Sequence, residues 1–285
     1  MRLSPRICIK FHAKLFVFLE FLVQNSQIYW RDKPVITYEY PLNERIRILM
    51  RMEGLFAKYA HFVALNTALE HHTALLALFE ILEVARSDLK SDLIQELERQ
   101  RHTLEPLRNN PGVKSDALEE ILKNIVTTVG QLQALSGKTG QHLRDNDWVM
   151  SLKQRACIPG GMCEFDLPSF HYWLSQGATT RRDHLQAWMA PFQPLSSAVS
   201  IILKIMRDSG QPTHRVATQG AYQQMVSGRA AQMLRVVLDQ NLPCFPEICA
   251  NKYAINIRFT ALGAGVERPK TCDTSVEFDL TLCCL

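Results

Sequence analysis

The 285-residue chain predicts an α+β fold: a helical N-terminal half containing an αα-hairpin, then an antiparallel strand-rich C-terminal half. Two observations carry this. As far as about residue 206, apolar residues recur three or four apart, the period of one helix face. From Thr213 onward they alternate with polar residues, the period of a strand with one face on a core and one in water. A third observation is permissive. With 47% apolar and 21% charged residues, the chain has the proportions needed to build a packed core.

Residues 1–35 read differently from the rest. They hold six Lys/Arg against two acids, which leaves 26 basic and 26 acidic residues in the body. The whole net charge of +4 therefore sits in this leader, and the neutral body argues against nucleic-acid binding by bulk charge. The apolar run Leu15–Val23 is interrupted by Glu20 and is too short to span a bilayer, so no stable membrane insertion is expected. The leader is expected to be atypical, either disordered or not native. It is followed by a helical domain over 36–155 and a β-rich domain with interspersed helices over 156–285.

A first long helix is predicted from Pro41 to Val63, capped at Asn43, with Ile48, Met52, Leu55, Tyr59 and Phe62 as its buried stripe. Arg47, Arg51 and Lys58 share another face, with Arg45 beside it. The helical pattern continues from Leu65 to Ala85. Adjacent His71 and His72 point about 100° apart there, so they cannot share one metal ion and are expected at the surface or an interface. Leu89, Leu93, Leu97 and Leu104 line the helix Asp88–Leu104. Leu118, Leu122, Ile125, Val129 and Leu132 line the next one. The Pro111-Gly112 loop between them makes an αα-hairpin. Gln141–Arg155 is a further helix, apolar at Leu143, Val149 and Leu152 and basic at Arg144, Lys153 and Arg155.

Residues 155–174 change the character of the chain. Pro159-Gly160-Gly161 is a turn signal. Asp166 and Pro168 are placed to open a short helix that carries His171. Ile158, Phe165, Leu167, Phe170 and Trp173 are expected to tie the helical half to the strand half. Helices follow over Asp183–Met189 and Leu195–Met206. Three alternating runs then read as strands: Leu234–Asp239, Tyr253–Thr260 and Val276–Cys283.

No catalytic constellation emerges, and no cofactor or metal is called for. Gly137-Lys138-Thr139 ends like a phosphate-binding loop, but that loop needs a first glycine at position 132, where Leu132 stands. It also follows a helix, not a buried strand. The eight cysteines have no zinc spacing and are expected to be mostly buried thiols. His171 has no nucleophile or carboxylate partner in sequence beyond Asp166, so a surface or interface role is expected.

The run Ile158-Pro-Gly-Gly-x-Cys-x-Phe-Asp-Leu-Pro, with His171 and Trp173-Leu174 after it, resembles the signature of the ZapD family of bacterial cell-division proteins. Tyr40-Pro-Leu-Asn-Glu-Arg-Ile-Arg47 resembles the family's opening, and Phe278-Asp-Leu280 with Cys283-Cys284 its closing strand. The resemblance spans about residues 36–285. It implies a cytoplasmic, non-enzymatic homodimer at the mid-cell division site. Such a dimer binds the C-terminal tail of FtsZ and bundles its filaments. On this reading Arg45, Arg47, Arg51 and Lys58 supply the charge that meets FtsZ, extended by Arg144, Lys153, Arg155 and His171. The alternatives are a nucleotide-binding adaptor built on the Gly-Lys-Thr run and a membrane-associated adaptor using the leader.

Overall fold

The computed structural model describes residues 34–85, 88–110, 114–225, 231–251, 253–261 and 269–284. The leader, apart from its last two residues, lies outside the described residues, as do the Pro111-Gly112-Val113 loop and Cys8. Helices fill most of the chain as far as residue 208, and antiparallel strands follow, so the α+β reading holds. The chain divides into two compact units. One comprises residues 48–102 and 121–202; the other comprises residues up to 47, 103–120 and 203–285.

The helices are α1 (Glu44–Ala64), α2 (Ala68–Val84), α3 (Leu89–Leu104), α4 (Ser115–Ala134), α5 (Gln141–Arg144), α6 (Asp147–Ala156), α7 (Pro168–Ser175), α8 (Ala178–Met189) and α9 (Gln193–Asp208). Their starts follow local chemistry. Asn43 Oδ1 accepts the Ile46 N–H at 2.9 Å and begins α1. Thr67 and Glu70 form a reciprocal capping box, which breaks the pattern at Leu65–Asn66 and restarts it as α2. Asn146 caps α6 through the Val149 N–H, so the single helix expected over 141–155 is two. Such caps stabilise a helix by about 1 kcal/mol each.

The hairpin is antiparallel. Near its open end the Lys90 ammonium donates to the Leu135 carbonyl at 2.7 Å. Toward its tip the Arg108 guanidinium and the Glu119 carboxylate pair bidentately at 2.7 and 3.0 Å. Every leucine, isoleucine and valine expected on its inner faces is buried. The stripe of α1 is rotated by about one residue from expectation. Ile46, Leu49, Met52, Phe56, Tyr59 and Val63 are buried, whereas Ile48, Leu55 and Phe62 are only half-buried. The helix carries apolar side chains over more than half its circumference, so periodicity alone fits either register.

The strand unit holds two four-stranded sheets. Their strands are β1 (Val35–Pro41), β2 (Pro212–Ala217), β3 (Ala221–Met225), β4 (Met233–Asp239), β5 (Cys244–Ala250), β6 (Ala254–Ala261), β7 (Lys270–Thr271) and β8 (Val276–Cys283). One sheet runs β1-β4-β8-β2 and the other β3-β6-β5, with β7 also on β6. A single core joins them: Leu234, Val236, Leu238, Phe278 and Leu280 from the first, and Ile255, Ile257 and Phe259 from the second. Phe259 and Phe278 meet at 5.0 Å between ring centroids. Burying side chains of this size contributes roughly 1.5–3 kcal/mol each. Glu39 on β1 accepts two 2.8 Å hydrogen bonds from Arg207. Arg235 Nε also lies 3.1 Å from Glu39 but is misaligned for a hydrogen bond.

The thiols depart from expectation. Among the described residues only Cys283 is buried, and its pKa is pushed up to about 12 by desolvation. Cys157, Cys163 and Cys249 are exposed because they sit in turns or on the solvent face of an edge strand. One stretch, 178–208, has the length and composition of a membrane span, but half of its most apolar window is buried inside the protein, as in a core helix.

Candidate interaction surfaces

The signature stretch is a chain of turns locked by its own backbone. Ile158 N–H donates to Arg155 O and Gly161 N–H to Ile158 O, both at 2.9 Å; Leu167 N–H donates to Cys163 O at 3.0 Å. Gly160 has φ +71°, which costs a glycine little. A Cβ on Gly161 would lie 2.7 Å from Arg155 O, so the second glycine is required by space. Asp166 caps nothing: Leu167 occupies the N-cap position of α7 without a side-chain hydrogen bond, and Pro168 opens the helix.

The five apolar residues of this stretch divide. Ile158 is 51% exposed and Phe165 81% exposed, and Leu167 is half-buried, so the first two are turned to solvent. Phe170 and Trp173 are buried within the helical unit. Their rings stack at 5.7 Å, Phe170 meets His72 edge-on, and Trp173 meets Trp148 and Trp188 at 6.3 and 6.0 Å. Trp173 Nε1 donates to His184 Nδ1 at 3.2 Å.

A buried polar joint stands beside this cluster. Arg181, 5% exposed, donates through Nε to His71 Nδ1 at 3.0 Å, through Nη2 to Asn66 O at 2.8 Å, and through Nη1 to Leu174 O and Gln176 O. Arg182 donates to Val63 O and Leu65 O at the end of α1. His71 is completely buried, which corrects its expected surface position. Its Nδ1 accepts from Arg181, so its Nε2 carries the proton toward Leu65 O, 2.8 Å away. Burial, then the charges of the two arginines, hold this histidine in its neutral form, against the pull of the Leu65 carbonyl toward the protonated one.

Burial, then the charges of Arg181 and Arg182, lower the His71 pKa below its ordinary value of about 6.5; burial does the same to His72. A histidine with a depressed folded pKa takes up its proton more readily when unfolded. Stability should therefore be level at and above pH 7. It should decline as pH falls from about 6.5 toward the folded value. Urea midpoints between pH 8 and pH 5 measure this, and in His71→Gln the decline should be shallower.

The structure places the eight basic candidates unevenly. The side chains of Arg51 and Arg155 are exposed and make no hydrogen bond or ion pair with another described residue. Arg47 pairs with Glu44 at 3.2 Å and lies over the Tyr40 ring. Arg45 is rotated about 200° from Arg47 around the helix, off that face, and has a partner of its own. Lys58, Lys153 and Arg144 converge on α2. Lys58 pairs with Glu80 at 2.8 Å, Lys153 pairs with Glu83, and Arg144 donates to Leu82 O and Thr139 O. The hydrogen bond and charge of Lys153, with the charge of Arg144, hold the Glu83 pKa below the usual range. His171 lies 3.3 Å from Glu164. Among the described residues no group of three His, Cys, Asp or Glu side chains is placed to hold a metal ion. Gly137-Lys138-Thr139 follows helix α4.

Comparison with known proteins then gives the class. The chain is 53% identical over 250 residues to a cell division protein of Dechloromonas aromatica, covering 87% of this chain and 99% of the relative. It is 50% identical over 256 residues to one of Aromatoleum aromaticum, covering 90% and 100%. A third relative, from Chromobacterium violaceum, is 49% identical over 250 residues, covering 87% and 99%. This is a protein of the cell-division class. More narrowly, residues 50–258 match the family model "ZapD: Cell division protein", each of these relatives bears the name ZapD, and the chain belongs to the ZapD family.

Proposed function

We propose that this protein acts without catalysis as a cytoplasmic homodimer that binds the C-terminal tail of FtsZ and cross-links FtsZ filaments at the division site. A twofold dimer carries two equal sites, which suffices to hold two filaments together without a nucleotide or a motor. Family membership supports the role in division. The observation that carries the reading to residues is the unspent charge of Arg51 and Arg155. A guanidinium with no partner of its own meets an anionic group without first breaking an internal pair. Lys58, Lys153 and Arg144 are already neutralised or anchored along α2 and take a smaller share. Arg45, Arg47 and His171 also have partners of their own, so their share is secondary.

The test is charge reversal at both free positions, Arg51→Glu with Arg155→Glu. Co-sedimentation with FtsZ polymers should weaken at least tenfold, and light scattering from bundles should fall in parallel. Dimer mass and melting temperature should stay as in the wild type, since both side chains are exposed. Wild-type binding should fade as salt rises, because exposed charges are screened beyond about 10 Å at 0.1 M. Undiminished bundling by the double variant would remove these residues from the site. A wild-type protein that ignores FtsZ polymers would remove the function.

A further inference from the structure

Two thiols meet in the strand unit. Cys244 opens β5 and stands directly opposite Ala261 of β6. β7 pairs Thr271 with Thr260 and Lys270 with Ala261. Since β5 and β7 pair with the same two residues of β6, they flank it on opposite sides. Cys272 carries the β7 ladder one step further, because its N–H donates to Phe259 O at 2.9 Å. Residues opposite one another in a ladder point to the same face, as do residues two apart on one strand. Phe259 and Ala261 are two apart, and Phe259 is completely buried. The register therefore turns Cys244 and Cys272 to one face of the sheet, the face that carries the core.

The side chains bear this out. Both are half-buried, both pack against the strand core, and the two thiols are in hydrogen-bond contact with each other. The backbone of Cys272 is closely held as well: a Cβ on Gly220 would lie 2.5 Å from Cys272 O. Other described thiols are placed differently. Cys157, Cys163 and Cys249 are exposed, and Cys283 is buried. Cys283 and Cys284 are neighbours at the end of β8, where successive side chains point to opposite faces.

An exposed thiol meets whatever oxidant or thiol arrives, and a sealed one meets neither. Cys244 and Cys272 stand between these cases. They are open enough for a small oxidant, and each already has the other sulfur beside it, so a second thiol need not be found by diffusion. Burial, then Cys272 itself, pushes the Cys244 thiol up to about 11. Cys244 therefore stays protonated at neutral pH and is the second of the two to react.

We propose that Cys244 and Cys272 form a reversible disulfide within one chain when the protein meets a peroxide. Hydrogen peroxide oxidises the Cys272 sulfur to a sulfenic acid and releases one water. The Cys244 sulfur then attacks the Cys272 sulfur, the S–O bond breaks, and the hydroxyl leaves with the Cys244 proton as a second water. The two sulfurs together lose two electrons, and the peroxide takes them up. The sulfurs must close from hydrogen-bond contact to about 2.05 Å. β7 is only two residues long, so little ladder opposes that movement. The bond ties β5 to the segment after β7 across β6, and a thiol reductant reverses it.

Disulfide mapping of the full chain tests this without FtsZ. The reduced protein is treated with enough hydrogen peroxide to oxidise the exposed Cys157 and Cys163. Free thiols are then capped with iodoacetamide, and the chain is digested with trypsin without reduction. Cleavage after Lys252 and Lys270 separates the two cysteines, and fragmentation of the joined peptides locates the bond. The expected product is a Cys244–Cys272 cross-link, lighter by two hydrogens than the two thiol peptides, in a band of single-chain mass on a non-reducing gel. Dithiothreitol should return both residues to thiols that iodoacetamide caps. Cys249→Ser should leave the cross-link in place, and Cys272→Ser should abolish it and leave Cys244 free to be capped. The wild-type map stands whether or not a variant folds. Free Cys244 and Cys272 at that dose, Cys244 joined to any other cysteine, or a bond between two chains would each overturn the proposal.

Discussion

Replacing Arg181 by alanine is expected to lower the stability of the helical unit by about 4 kcal/mol. The side chain is 5% exposed and serves four acceptors at once: His71 Nδ1 and the carbonyls of Asn66, Leu174 and Gln176. Alanine leaves all four buried or half-buried groups without that donor. Unmade buried hydrogen bonds cost about 1–3 kcal/mol each before relaxation and water entry reduce the sum. The melting temperature should fall by roughly 10 °C. Arg181→Lys should recover less than half, because a compact ammonium cannot span a fork of acceptors. Urea denaturation followed by circular dichroism measures both. A loss below about 1 kcal/mol for alanine would mean that water satisfies those groups.

That joint was not legible in the sequence, and the reason is instructive. His71 reads as surface because it is flanked by Glu70 and His72, and Arg181 reads as surface in the run Thr179-Thr180-Arg181-Arg182-Asp183. Polar residues announce exposure unless a partner is known, and these partners are 110 positions apart. The same holds for the basic candidates. Their positions were plain, but the acids that neutralise Lys58 and Lys153 lie on α2, brought near only by packing.

The strands divide in the same physical way. Those read from alternation, β4, β6 and β8, are the interior strands of their sheets. Those missed are the edges β1, β2, β3 and β5 and the two-residue β7. An interior strand buries one face fully and so writes a strict period of two; β8 buries Val276, Phe278 and Leu280. An edge strand is half wet on both faces. β5 carries Pro246, which an edge tolerates because one side of its backbone needs no ladder partner. β1 has strand-forming Val35, Ile36, Thr37 and Tyr38, but it lies where the leader gives way to the first helix. The αα-hairpin was legible because the leucines, isoleucine and valine expected on its inner faces are all buried.

Within residues 155–174, Phe170→Ala is expected to cost about 4 kcal/mol, whereas Phe165→Ala should change stability by less than about 0.5 kcal/mol. Both are phenylalanines of one motif, five positions apart, and the sequence treats them alike. Phe170 is 1% exposed, stacks on Trp173 and abuts His72, so its removal leaves a cavity among rings too rigid to collapse into it. Phe165 is 81% exposed and leaves only water behind. The tryptophans supply the readout: Phe170→Ala should shift and weaken the emission of the Trp148–Trp173–Trp188 cluster, while Phe165→Ala leaves the spectrum unchanged. Equal losses in the two variants would contradict this division. The expected contrast means that half of this family-identifying stretch is held by the demands of packing. The other half, with Ile158 and Phe165 turned outward on a loop locked by Gly160 and Gly161 and Tyr172 turned outward on α7, is held in place by the fold without contributing to its stability.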